Sequence, residues 1–229
     1  MFRNRTEAGC KLGERLMRFK AKHPLVLALP RGGVTVAFEI ARMLAAPLDV
    51  VLVRKIGAPM QPELAIGAIA DGEHPELVVN RGVAEALGIP VSYLEEERDR
   101  QLMEIERRRK LYLAGRPRPS IAGKTVIVVD DGIATGATMR AALRAVRRAG
   151  PKRLVLAVPV ASAQTITELR YDVDDVECLE VPEDLWAIGG YYEDFTQVAD
   201  SDVTTMLQEA ARFVGAESGK PHGDGETRA

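Results

Sequence analysis

"VIVVDDGIATGAT", residues Val126 to Thr138, joins a short apolar run to two acids and a turn rich in glycine and threonine. The four β-branched residues at its start predict a buried strand of the kind found in parallel sheets. Asp130 and Asp131 follow that strand directly, and the turn leads into a predicted helix. Because ligands of open parallel sheets bind beyond the carboxyl ends of the strands, this stretch is the first candidate for a functional site.

The two halves of this stretch suit different parts of one ligand. The segment from Gly132 to Thr138 offers backbone N–H groups, threonine hydroxyls and a helix N-terminus, which together suit a phosphate group. Carboxylates repel phosphate, so Asp130 and Asp131 must serve sugar hydroxyls, a metal ion or both. A phosphorylated sugar is a ligand that satisfies both halves.

Three other interpretations of the stretch explain less of it. A Walker B strand also ends in two acids, but its ATPase requires an upstream G-x-x-x-x-G-K-[ST], which the sequence lacks. A dinucleotide-binding fold requires G-x-G-x-x-G after its first strand, and "LPRGGVTVAFE" does not supply it. The acids could instead cap a helix, but two adjacent carboxylates followed by T-G-x-T exceed what a cap requires.

Apolar strands and amphipathic helices alternate on both sides of this stretch. The alternation predicts β-α-β units, which imply a parallel sheet with right-handed crossovers. The predicted strands are Leu25 to Pro30, Asp49 to Arg54, Thr125 to Val129 and Leu154 to Val160. The predicted helices around them are Glu7 to Lys20, Val34 to Ala45 and Thr138 to Ala149. We therefore expect an α/β fold with an open, mainly parallel sheet and flanking helices.

We expect one domain over residues 1–214. An insertion at about 56–123 interrupts the β-α-β pattern, and its sequence predicts a hairpin followed by a charged helix from Tyr93 to Leu113. Residues 215–229 are polar and rich in glycine, which predicts a disordered tail.

The composition disfavours several classes of protein. With 46% hydrophobic and 28% charged residues over 229 positions, the chain can bury a sizeable core. A net charge of −2 predicts no nucleic-acid partner. The two cysteines are far apart, which argues against a zinc site or a disulfide scaffold. Without a signal peptide or an apolar run of roughly 18 residues, we expect a cytoplasmic protein with no membrane partner.

The opening stretch resembles the phosphoribosyl pyrophosphate (PRPP) binding motif of the type I phosphoribosyltransferases. That motif consists of an apolar strand, two acids and a T-G-[GTA]-T phosphate loop, and Ala137 before the last threonine is a mild departure from it. The segments "ALPRGGVTVAFEIA", "LDVVLVRKIGAPMQPELAIGAIA" and "AIGGYYEDF" extend the resemblance to a little-characterised bacterial branch, from about Phe2 to Leu207. The resemblance implies the same α/β fold with a small hood, at about 171–200.

The resemblance also implies an activity. It indicates an Mg²⁺-dependent transferase that moves ribose 5-phosphate from PRPP to a small-molecule acceptor, a nucleobase, and releases pyrophosphate. A homodimer is the common assembly of the family. The alternatives are a non-catalytic PRPP-sensing regulatory protein, which keeps the site without turnover, and an inactive partner subunit.

The resemblance assigns roles to individual residues. Asp130 and Asp131 are the candidate catalytic residues, which would bind the ribose hydroxyls and, together with Glu193, the metal. The residues expected to bind the 5-phosphate are Gly132, Ala134, Thr135, Gly136, Ala137 and Thr138. The residues expected to bind pyrophosphate are Arg31, Gly32 and Gly33 of "PRGG", with Arg54 and Lys55 at the end of the next predicted strand. For the three cations, an ordinary surface position is the alternative.

The acceptor is the part of the function that the sequence defines least. "DLWAIGGYYEDF", Asp184 to Phe195, resembles the stretch with which purine-type members cover the base. Its Trp186 would stack on a flat heteroaromatic acceptor, or would instead fill a core, as buried tryptophans often do. "VPVASAQT" lacks the lysine that 6-oxopurine enzymes place after that strand, which disfavours hypoxanthine and guanine.

Overall fold

The computed structural model describes residues 1–71, 75–116 and 118–213. Its strands form a five-stranded parallel sheet and a separate three-stranded antiparallel sheet. The strands are β1 (Leu25–Ala28), β2 (Leu48–Val50), β3 (Val53–Ala58), β4 (Gln61–Ala70), β5 (Glu76–Val79), β6 (Thr125–Val129), β7 (Arg153–Val160) and β8 (Asp175–Glu180). The helices are α1 (Arg5–Leu16), α2 (Gly32–Leu44), α3 (Arg81–Ala86), α4 (Val91–Leu113), α5 (Ala137–Arg148), α6 (Ala163–Leu169) and α7 (Asp200–Ala210). The predicted fold class is confirmed.

The parallel sheet has the strand order β2-β1-β6-β7-β8. Alternate residues of its strands enter two separate cores. Val26 and Ile127 pack with apolar residues of α1, α2 and α7, whereas Leu27 and Val128 pack with those of α5 and α6. Because both faces of the central strands are buried, β1, β6 and most of β7 read as continuous apolar runs instead of alternating patterns.

The insertion forms the three-stranded antiparallel sheet, with the order β3-β4-β5, and the helices α3 and α4. The predicted hairpin is confirmed as β4 and β5, which pair from Gly67 with Val79 to Ala70 with Glu76. Residues 72–74, which separate β4 from β5 in the sequence, lie outside the described part of the chain. The predicted charged helix is also confirmed, as α4.

The expected single strand from Asp49 to Arg54 is wrong. The chain leaves the parallel sheet after Val50 and begins β3, in the other sheet, at Val53. Between the two strands, Leu52 N donates to Asp71 Oδ1 at 2.8 Å, and Leu52 O accepts from Asp71 N at 2.8 Å. These two bonds to the end of β4 direct the chain away from the parallel sheet.

A buried group of charges ties the insertion to the parallel sheet. Arg109 on α4 lies 2.5 Å from Asp71 Oδ2 and 3.6 Å from Asp49 Oδ2, measured from its Nη1 and Nη2 atoms. Burial raises the pKa of both carboxyls, and the positive charge of Arg109 acts in the opposite direction on each. The guanidinium therefore compensates two acids that the fold has removed from water.

The expected hood at about 171–200 includes β8, which pairs with β7 at the edge of the parallel sheet. The expected tail, 215–229, lies outside the described residues. The boundaries of the domain, insertion, hood and tail stay predictions. Among the described residues, no helix has the length and apolar character needed to cross a membrane.

Candidate functional site

Two loops meet at the carboxyl ends of the neighbouring strands β1 and β6. The PRGG loop (Pro30–Gly33) follows β1, and Asp130 and Asp131 follow β6. A Cβ atom on Gly33 would lie 2.9 Å from Asp130 Cα, and one on Gly32 would lie 1.9 Å from Asp131 Oδ2. Both positions therefore require glycine, because the PRGG loop touches the two acids.

The side chain of Asp130 is held by the backbone of the residue that follows it. Its Oδ1 accepts a hydrogen bond from Asp131 N at 2.8 Å. Burial, followed by the negative charge of Asp131, raises the pKa of the Asp130 carboxyl well above its ordinary value. Neither acid caps a helix, because α5 begins after Gly136 and α2 after Arg31. The interpretation of the acids as helix caps is therefore wrong.

Asp131 has two partners that the sequence interpretation missed. Arg5 Nε donates to Asp131 Oδ2 at 2.7 Å, and the Tyr192 hydroxyl donates to Asp131 O at 2.6 Å. Burial raises the pKa of Tyr192, so this hydroxyl stays protonated as a donor. One signal in the sequence marks Arg5, which precedes Ala8 and Leu12 by three and seven residues and therefore lies on the apolar face of α1.

The phosphate loop (Gly132–Thr138) connects β6 to α5. Gly136 has φ +75°, a left-handed conformation that favours glycine, and it is the N-cap of α5. Ala134 O accepts from Thr165 Oγ1 at 2.9 Å, which fixes the middle of the loop. Within the described residues, the amides from Ala134 to Thr138 have no hydrogen-bond acceptor. Free amides before a helix N-terminus make this loop suitable for an anion.

Arg31 lies in the PRGG loop with 35% of its side chain exposed. Its Nη1 is 3.9 Å from Asp200 Oδ1, at the first residue of α7. The same carboxylate oxygen accepts from the Tyr112 hydroxyl of α4 at 2.5 Å. The expected pyrophosphate-binding arginine is thus next to α7 and to the helix of the insertion.

Arg54 and Lys55 do not end a strand of the parallel sheet, contrary to expectation, since both lie in β3. Arg54 Nε donates to Gln101 Oε1 at 2.9 Å, and Lys55 is exposed. In the described parts of the chain, no hydrogen bond or ion pair joins either residue to the PRGG loop or to the two acids. They were assigned to pyrophosphate because they were expected at the end of a parallel strand, and they do not lie there. Their binding to pyrophosphate stays an untested prediction.

Trp186 and Glu193 belong to the segment that follows β8. Trp186 is 96% exposed, so the alternative that it fills the core is wrong. Ile188 packs on the phosphate loop, since a Cβ on Gly132 would lie 2.4 Å from Ile188 Cγ2. Glu193 is exposed. Within the described ranges, no three His, Cys, Asp or Glu side chains are already grouped as a metal site, and the role of Glu193 stays a prediction.

The fold and this pair of loops define the class of the protein. Residues 8–196 match the family model of the phosphoribosyl transferase domain, and the chain belongs to that family. The resemblance seen in the sequence is thereby confirmed.

Three known proteins illustrate the relationship. Two proteins from strains of Mycobacterium tuberculosis, each named "putative phosphoribosyl transferase", are 42% identical to this chain over 212 residues. The matches cover 93% of this chain and 47% of each relative, so the chain spans about half the length of these curated relatives. The crystal structure of TT1426 from Thermus thermophilus has a TM-score of 0.78 and 47% sequence identity, and the match covers 91% of this chain and 98% of that one. The family and the names of the relatives support classification as a transferase.

Proposed function

We propose that the protein is a phosphoribosyltransferase, which transfers ribose 5-phosphate from PRPP to a small-molecule acceptor, a nucleobase, and releases pyrophosphate. The observation that carries the proposal is the contact between the PRGG loop and the two acids, where a Cβ on Gly32 would lie 1.9 Å from Asp131 Oδ2. It supports one ligand with a sugar at the carboxylates and anionic groups at both neighbouring loops.

Each part of PRPP has a matching group in this arrangement. The phosphate loop would bind the 5-phosphate through free amides and the hydroxyls of Thr135 and Thr138. Asp130 and Asp131 would accept hydrogen bonds from the ribose hydroxyls. Arg31 and the amides of Gly32 and Gly33 would bind the pyrophosphate. In the reaction, a nucleophilic atom of the acceptor bonds to ribose C1 as the bond from C1 to the pyrophosphate oxygen breaks, and the bound groups stabilise both charged fragments.

Magnesium is part of the proposal. Mg²⁺ binds through one or two protein carboxylates and completes its shell with water and substrate phosphates, so Asp130 and Asp131 fit it without a third acid. The bound ion would supply positive charge for the leaving pyrophosphate.

The acceptor would lie against the segment that follows β8. Trp186 is 96% exposed and close in sequence to Ile188, which packs on the phosphate loop. An exposed indole face suits a flat heteroaromatic acceptor, because base stacking on an aromatic side chain is worth about 1–3 kcal/mol. The proposal includes a homodimer, which light scattering after size-exclusion chromatography tests.

Calorimetric titration with PRPP, with and without Mg²⁺, tests the proposal when it is followed by pyrophosphate release assays over a panel of nucleobases. We expect PRPP binding, and release with at least one base. The double variant Asp130→Asn/Asp131→Asn should lose PRPP binding and stay folded, whereas Asp99→Asn, an exposed carboxylate on α4, should bind like the wild type.

The outcomes separate the alternatives. Binding with no release for any acceptor favours the PRPP-sensing regulatory protein. Unchanged PRPP affinity of the double variant would show that the assignment of Asp130 and Asp131 is wrong.

A further inference from the structure

Arg5 is buried beside the candidate site although it comes from the first turn of α1. Only 10% of its side chain is exposed. Besides its bond to Asp131, its Nη1 donates to Thr196 O at 2.9 Å, and its guanidinium carbon lies 3.8 Å from the centroid of the Phe195 ring. Contacts to a carboxylate, a carbonyl and a ring face leave the planar guanidinium little freedom.

The chain around Arg5 is fastened to the segment that carries Phe195. Phe2 N donates to Tyr191 O at 2.7 Å, and Glu193 N donates to Phe2 O at 2.8 Å. Asp194 N donates to Arg3 O at 2.9 Å. These bonds hold the residues before α1 and residues 191–194 side by side, so the position of Arg5 is built into the fold.

The oxygen of Asp131 that Arg5 binds is the one facing the PRGG loop. A Cβ on Gly32 would lie 1.9 Å from Asp131 Oδ2 and 2.9 Å from Arg5 Nε. An uncompensated carboxylate at this point would repel any phosphate bound at the loop. The guanidinium offsets that repulsion and, by binding one oxygen, fixes the rotation of the carboxylate.

We propose that Arg5 is a positioning residue for PRPP: it holds the Asp131 carboxylate in one orientation for the ribose hydroxyls and neutralises Oδ2 next to the pyrophosphate. This inference rests on the proposed function. Arg5 acts through Asp131 and does not contact the reacting atoms.

A double-mutant cycle tests the inference. PRPP affinity is measured by calorimetry for the wild type, Arg5→Ala, Asp131→Asn and the double variant, with the fold of each checked by circular dichroism. Loss of a partner that orients a metal-ligating side chain typically costs about 10–100-fold in affinity or activity, and we expect Arg5→Ala to weaken Mg²⁺-dependent PRPP binding by a comparable factor. In the Asp131→Asn background, removal of Arg5 should add little, because its partner is already altered.

Two further variants distinguish positioning from general support of the fold. Arg5→Lys keeps a cation and should recover part of the affinity that Arg5→Ala loses. Arg3→Ala is the matched control, since the Arg3 side chain is 76% exposed and its backbone carbonyl is unaffected by the change. If Arg5→Ala does not fold, Arg5→Gln, which keeps an N–H donor without the charge, replaces it in the cycle.

Two results would overturn the inference: wild-type PRPP affinity for folded Arg5→Ala, or equal losses from removing Arg5 with and without Asp131. If the wild-type protein binds no PRPP, the proposed function fails, and a crystal structure of unliganded Arg5→Ala decides the role of Arg5 separately. A rotated Asp131 carboxylate in that structure supports positioning, and a carboxylate in its wild-type orientation contradicts it.

Discussion

Gly32 is the residue of the PRGG loop that contacts the ion pair of Arg5 with Asp131. The space that a side chain would need is filled, since a Cβ there would lie 1.9 Å from Asp131 Oδ2 and 2.9 Å from Arg5 Nε. Because glycine has only a hydrogen atom in place of a side chain, the PRGG loop can pack directly against both Asp131 and Arg5.

We expect Gly32→Ala to displace the carboxylate of Asp131. Overpacking of this kind typically lowers stability by about 1–3 kcal/mol. The displaced carboxylate should also weaken PRPP binding by about tenfold, the effect of losing one hydrogen bond worth about 1.4 kcal/mol. Gly190→Ala is the control, because a Cβ at that position meets no atom within 4 Å. Calorimetry with PRPP measures both variants. Equal affinity of Gly32→Ala and Gly190→Ala would contradict the role given to the contact.

Site residues that directly follow a strand could be predicted from the sequence. Those brought to the site from distant parts of the chain could not. Asp130 and Asp131 could be placed because an apolar strand leads into them. Arg5 and Asp131 are 126 residues apart in the sequence. Strand and helix propensities describe local structure and cannot predict a contact between such distant residues. The position of Arg5 on the apolar face of α1 indicated that its side chain is unusual, but it did not indicate that Asp131 is its partner.

Tyr112 on α4 connects the insertion to α7. Its side chain is 1% exposed, and its hydroxyl donates to Asp200 Oδ1, the oxygen that lies 3.9 Å from Arg31. Tyr112 and Asp200 therefore link the helix α4 of the insertion to Arg31 of the PRGG loop.

We expect Tyr112→Phe to lower the free energy of unfolding by about 1.5 kcal/mol, the value of a hydrogen bond to a charged acceptor. Burial raises the pKa of Tyr112 to about 12, so the hydroxyl stays protonated and the loss should be equal at pH 7 and pH 9.5. Urea denaturation measures it. Tyr171→Phe, at an 89% exposed position, should leave stability unchanged. A loss for Tyr112→Phe that disappears at pH 9.5 would mean that the hydroxyl ionises.

Element boundaries in the insertion illustrate what an apolar pattern cannot show. "DVVLVR" reads as one strand, yet β2 and β3 belong to different sheets. The change of sheet depends on the pairing of Leu52 with Asp71, nineteen residues later, and the apolar pattern of this stretch does not contain that partner. Arg54 and Lys55 were consequently predicted at the wrong sheet edge.

The two sheets are joined by the charges of Asp49, Asp71 and Arg109. Each carboxyl has a pKa raised by burial, so its contribution to stability is present below the ordinary aspartate pKa and is lost as pH rises through the folded value. Arg109 limits that loss because its positive charge opposes the effect of burial on both acids.

We expect Arg109→Ala to destabilise the protein by about 3 kcal/mol at pH 8, because it removes the cation shared by two buried carboxylates and leaves Arg118, 3.4 Å from Asp71 Oδ2, beside them. At pH 5 the penalty should be smaller, since the raised pKa values allow the acids to be neutralised by protons. Arg107→Ala, two residues away on α4 with a side chain 62% exposed, should change stability little at either pH. Chemical denaturation of the three proteins provides the measurement. A penalty for Arg109→Ala that is the same at pH 5 and pH 8 would contradict the electrostatic account.

The exposure of Trp186 gives the protein an optical signal of its own. Because the chain has one tryptophan, all indole fluorescence comes from this position, and at 96% exposure it should emit at the long wavelengths of indole in water. An acceptor that stacks on Trp186 in the presence of PRPP should quench the emission or shift it to the blue, and Trp186→Phe should abolish the signal. If every acceptor that supports pyrophosphate release leaves the spectrum unchanged, stacking on Trp186 is excluded. Candidate acceptors can thus be ranked by titration in a cuvette, without a label and before any product has been identified.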